Sequence, residues 1–103
     1  MGLQMDDLWL KFPKQNPDTP TRTIEGEAVV ITPHDSRLHT LNETGTFIWE
    51  RADGLRSLQA IASEMKDHFD VSDDQVKADA LSFAQDAHDK GLLSFEMAAG
   101  AEL

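Results

Sequence analysis

The chain has 103 residues, a formal net charge of −10, four histidines and no cysteine. That length is one domain, able to hide about two thirds of its unfolded surface, and the lack of cysteine excludes a disulfide framework, a thiolate metal site and a cysteine nucleophile. The acidity is concentrated: from Glu43 onward thirteen acidic residues face five basic ones, a surface that repels phosphate and anionic lipid.

Residues 1–20 combine Trp9 and Phe12 with Pro13, Pro17 and Pro20 and show no steady period, so they read as an irregular lead-in, either a docked arm or a solvated tail. The first ten residues include Asp6 and Asp7 and lack the basic and apolar regions of a secretory signal. No later stretch reaches the length of a membrane span, and a cytoplasmic protein is expected.

From Thr21 the pattern becomes short β-prone runs. Thr21 to Ile24, Ala28 to Thr32 and Arg37 to Leu41 are separated by Glu25-Gly26 and by Pro33-His34-Asp35-Ser36, which predicts a three-stranded antiparallel meander. A sheet this small has to bury one face on helices. Leu38 and Leu41 are expected in that buried face, leaving Arg37 and His39 outward.

Asn42 caps the first predicted helix, which offers Phe47, Ile48, Trp49 and Ala52 before Asp53-Gly54 ends it. Ser57 caps the second, where Leu58, Ile61, Ala62, Met65 and Phe69 recur at helical spacing. The third, expected over about 73–90, opens on a capping box, Ser72-Asp73-Asp74-Gln75, and closes at Lys90-Gly91. Its inward stripe is Val76, Ala80, Phe83, Ala84 and Ala87. Leu92-Leu93 then packs back on the core, and residues 97–103 read as a tail. The expected class is α+β, a three-stranded antiparallel sheet followed by three helices in a winged helix-turn-helix-like arrangement over residues 21–96.

The run LHTLNETGTFIWE, a DG turn, SLQAIASEMKDHFDVS and VKADALSFAQDAHDKGLL together resemble the PqqD-like family over residues 24–95. That family includes the pyrroloquinoline quinone biosynthesis protein D and precursor-peptide recognition domains. The resemblance implies a non-catalytic peptide chaperone that binds the leader of a ribosomally made precursor and presents it to a modifying enzyme, often a radical SAM enzyme. It also implies that the leader adds as a strand beside the third strand, against the third helix. Carried over by position, this points to Arg37, Leu38, His39, Thr40 and Leu41 for main-chain pairing. On the helix side it points to Lys77, Ala78, Leu81, Gln85 and His88, chosen as one stripe beside the core stripe. Ala80, Ala84 and Ala87 stand where larger aliphatics are common in the family, giving a slimmer helix.

An exposed strand edge is a pairing template, but it is also used for self-association or shielded by a neighbouring segment. His34 and His39 near Asp35 match no metal-ligand spacing, His68 and His88 are isolated, and no nucleophile–base pair or phosphate loop appears. Neither a metal, a cofactor nor catalysis is expected. The rivals to peptide binding are DNA binding by a winged helix and a homodimerising structural subunit; a monomer and a homodimer both stay open. Against DNA, the third helix carries Asp73, Asp74, Asp79, Asp86 and Asp89 with only Lys77 and Lys90.

Overall fold

A computed structural model describes residues 8–97. The expected tail beyond Met97 and the first seven residues of the lead-in lie outside them. Along the chain come β1 (Phe12–Gln15), β2 (Thr21–Ile24), β3 (Glu27–Thr32), β4 (Arg37–Thr40), α1 (Glu43–Arg51), α2 (Leu58–His68), α3 (Asp73–Asp89) and β5 (Leu93–Glu96). The fold is α+β and winged-helix-like, with the antiparallel sheet β2-β3-β4 followed by three helices and a separate pair, β1-β5.

In the larger sheet β3 is central and β4 is an edge. Glu25 and Gly26 take φ of 52° and 84°, the left-handed pair that a two-residue hairpin of the right twist requires. Alternation buries Ala28, Val30 and Thr32 completely and sends Val29 and Ile31 to the other face. On β4 the same parity turns His39 and Leu41 inward. Leu38 is therefore 68% exposed, against the expectation that it shares the core with Leu41, which is 8% exposed. Two residues three apart in a strand face opposite sides, so Leu38 and Leu41 cannot both be inward.

Leu41 N–H donates to Ala28 C=O (2.8 Å), but the reciprocal bond is missing. In its place the Thr46 hydroxyl accepts from Ala28 N–H (2.9 Å) and donates to Leu41 C=O (3.3 Å), pinning α1 to the ladder where the strands begin to part. Thr46 is almost fully buried. Thr46→Val keeps the shape and strands two buried backbone groups, so a loss of about 2–4 kcal/mol is expected. Urea unfolding checks this; a midpoint unchanged from wild type would show that the hydroxyl carries no such load.

The helix starts follow from their caps. Asn42, Ser57 and Ser72 side chains accept from the N–H groups of Gly45, Ala60 and Gln75. The expected capping box is only half made, because the Gln75 amide donates to Asp79 (2.8 Å) rather than turning back. At the other end of α3, Gly91 has φ of 77°, and Leu92 N–H reaches Ala87 C=O while Gly91 N–H reaches His88 C=O, a Schellman closure. The core has two parts. One lies among α1, α2 and α3, with Ile48, Leu58, Ile61, Met65 and Ala84, and the other under the sheet, with Val30, Leu41, Trp49, Ala87 and Leu92.

The lead-in is not irregular throughout, and its described part is a docked arm. Leu8 is fully buried in the helical core, and β1 pairs with β5 on one side while Gln15 and Gly54 N–H groups bond across to Ala52 and Pro13 on the other. The carbonyls of Lys11 and Trp9 accept from Leu58 and Gln59 N–H (both 2.9 Å), two of the four donors a helix start leaves without intrahelical partners. The folded unit therefore begins well before residue 21.

Candidate functional site

The register pairs Val30 with His39 and Thr32 with Arg37, in line with the Leu41–Ala28 bond. Ladder bonds in an antiparallel pair alternate, so the N–H and C=O groups of Arg37, His39 and Leu41 turn toward β3. Those of Leu38 and Thr40 turn away from it. Among the described residues the unpaired edge is thus carried by Leu38 and Thr40; of the five residues that the resemblance pointed to for main-chain pairing, Arg37, His39 and Leu41 turn their backbone groups to β3.

A hollow of about 370 Å³ runs between this edge and the C-terminal half of α3. Leu38, His39, Thr40 and Leu41 form its strand wall, and Phe83, Asp86, Ala87 and Lys90 its helix wall. A second hollow continues it past Asn42 and Thr44 along Asp79, Ser82 and Asp86. Of the three alanines at 80, 84 and 87, all buried, Ala87 lines the cleft, while Ala80 and Ala84 belong to the helical core.

The helix-side residues expected from the sequence are not in this cleft. Leu81 is buried in the helical core, Lys77 Nζ sits 5.1 Å from the Trp9 ring centroid, and the His88 ring packs against Phe95 of β5 at 6.1 Å. Gln85 is half-buried and donates to Asp89, and Ala78 is exposed. At roughly 100° per residue, 77, 78, 81, 85 and 88 lie on the side of α3 opposite 79, 82, 83, 86 and 90. The core stripe has two flanks, and the one facing β4 is the other one. Phe83, expected inside, is half-buried and shared between both core parts and the cleft.

Polar contacts hold the strand end of the cleft. The Thr32 hydroxyl bonds to the Asp35 carboxylate and lies 3.1 Å from His39 Nε2. The Thr32 bond foremost, and then the Arg37 backbone N–H, hold the Asp35 carboxyl below its ordinary range. The Thr32 contact ties the His39 ring to the turn. On the helix wall Lys90 pairs with Asp86 at 2.9 Å.

Among the described residues no group of three or more potential ligands could hold a metal, and no helix is long and apolar enough to cross a membrane. The arrangement offers two outward backbone donor–acceptor pairs beside a trough walled by both polar and apolar side chains, which is what an extended peptide can use.

The family model described as Coenzyme PQQ synthesis protein D (PqqD) matches residues 27–93, well over half of the chain. The fold is similar to the solved structure of TbiB1 in complex with the TbiA(beta) leader peptide. The TM-score is 0.71 at 19% identity, and the likeness covers 87% of this chain and 99% of that one. No curated protein matches the chain in sequence.

Proposed function

The chain belongs to the PqqD family, and we propose that it is a non-catalytic chaperone that binds the leader of a ribosomally synthesised precursor peptide. In this reading the leader adds as a strand to β4, and the complex is presented to a modifying enzyme, with radical SAM maturases the expected class. The observation that carries it is the free Leu38–Thr40 edge beside the Phe83–Ala87 wall. A β4 edge satisfies a peptide backbone while the trough reads alternate side chains. The likeness to a protein solved with a leader peptide supports the same reading. A tether of this kind works by raising the local concentration of substrate at the enzyme, with no chemistry of its own.

The five aspartates of α3 argue against the DNA-binding alternative, since a recognition helix must approach phosphates. Synthetic leaders from short reading frames beside the gene, titrated against the protein by calorimetry, are expected to bind at micromolar or tighter Kd. A 20-base-pair duplex is expected not to bind. Salt-sensitive duplex binding with no peptide binding would overturn the proposal.

A further inference from the structure

The core packs against one face of the sheet β2-β3-β4, where Ala28 and Val30 point. On the other face the register lines up outward rows across the three strands: Arg22, Val29 and Thr40 in one, and Pro20, Ile31 and Leu38 in the next. The second row is apolar throughout. Ile31 is half-buried and Leu38, at its end, is 68% exposed. Ile31 N–H donates to Pro20 C=O (2.9 Å), so Ile31 directs its backbone groups to the β2 side. Ile31 and Leu38 are therefore a non-hydrogen-bonded pair, the kind whose side chains stand closest, and the N–H and C=O of Leu38 turn away from β3. Within this row free backbone groups occur at Leu38 alone, so the row grows only past β4. Sheet edges are commonly blunted by a charged side chain, and a single exposed leucine needs no explanation. Here an outward leucine ends an apolar row at the point where the ladder is open.

Resting on the strand-addition reading above, we infer that Leu38 is a specificity residue: the leader carries a large apolar side chain in register with it, on the outer face of the sheet and not in the trough. Residues in register share a face in parallel and antiparallel ladders, so this holds for either direction of the added strand. The added side chain extends the row Pro20, Ile31, Leu38 by one position and covers the exposed leucine. The trough takes side chains of the other parity, on the face of His39 and Leu41. The leader is then read on both faces. A cross-strand apolar pair shifts affinity by about two- to fivefold. A slip of one residue carries the apolar side chain to the opposite face, so the same pair also fixes register.

The test uses the full chain and a positional-scanning library of twelve-residue synthetic peptides, read by fluorescence anisotropy. The best peptide is expected to hold one valine, isoleucine, leucine or aromatic residue whose replacement by alanine costs about two- to fivefold in wild type and less than about 1.5-fold in Leu38→Ser. Leu38→Lys is expected to exchange the preference at that one position for aspartate or glutamate, with the other positions unchanged. Both variants are expected to fold, since the side chain lies outside the core. N-methylation of each peptide amide in turn locates the strand. Binding is expected to be lost at the coupled residue for antiparallel addition, or at the residue after it for parallel addition. Peptides that lose binding on N-methylation, but whose alanine costs are the same in Leu38→Ser as in wild type at every position, would overturn this inference and leave strand addition standing. So would a wild-type dimer that Leu38→Lys converts to monomer in sedimentation with no peptide coupling, which assigns the row to a second copy. Peptides indifferent to N-methylation at every position, or no peptide selected at all, would overturn both.

Discussion

Thr40→Pro is expected to weaken leader binding at least about tenfold while the domain stays folded. Thr40 lies on the edge strand with its N–H turned away from β3, the one orientation in which a strand tolerates proline. The substitution removes a donor that the added peptide would use, worth a factor of about two to twelve by itself. The pyrrolidine ring also stands in the path of the incoming backbone, which a lost hydrogen bond alone would not do. His39→Pro is the informative contrast. Its N–H belongs to the β3 ladder opposite Val30, and its ring contacts Thr32, so loss of fold is expected there, not selective loss of binding. Thermal melts and peptide titrations on both variants separate the cases. A Thr40→Pro protein that is folded and binds within twofold of wild type would sink strand addition at this edge.

This contrast also marks what the sequence could and could not say about the site. Strand β4 and its neighbours were legible from alternation and turn residues. Its facing was legible too, because the parity that buries Leu41 also turns His39 inward and Leu38 out; grouping the two leucines by type rather than by parity obscured it. The cleft side of α3 was a different matter. Periodicity defines the buried stripe Val76, Ala80, Ala84 and Ala87, but each flank of that stripe mixes polar side chains with one large apolar residue, Leu81 on one and Phe83 on the other. Which flank meets β4 depends on the hand with which α3 crosses the sheet, a tertiary property with no local signature. The caps at Asn42, Ser57 and Ser72 were readable because a side-chain oxygen serves an N–H three residues on. The Thr46 hydroxyl, whose acceptor role lies eighteen residues back at Ala28, was not.

The arm shows the same limit with a larger energetic consequence. Its prolines and lack of period suggested an irregular segment, yet Leu8 is fully buried in the cluster that holds Leu58 and Ile61, and Gln15 of the same arm reaches Trp49, 34 residues away. Backbone carbonyls that cap α2 carry no residue preference, so nothing in Trp9 or Lys11 announces that role. Removing residues 1–11 is expected to destabilise the domain by more than about 4 kcal/mol. Truncating a buried leucine alone costs about 2–5 kcal/mol, and two N–H groups at the start of α2 lose their acceptors, a smaller penalty wherever water can replace them. A domain of this size has about 5–15 kcal/mol in all, so the truncated chain should be largely unfolded near 37 °C or hold only weakly. Leu8→Ala separates the two contributions, since it creates the cavity and keeps both caps, and it should fall between wild type and the truncation. Urea unfolding of the three proteins gives the order. A truncated chain as stable as the full one would mean that the arm rests on the core without supporting it, and that β5 and the start of α2 are held by the remainder of the fold.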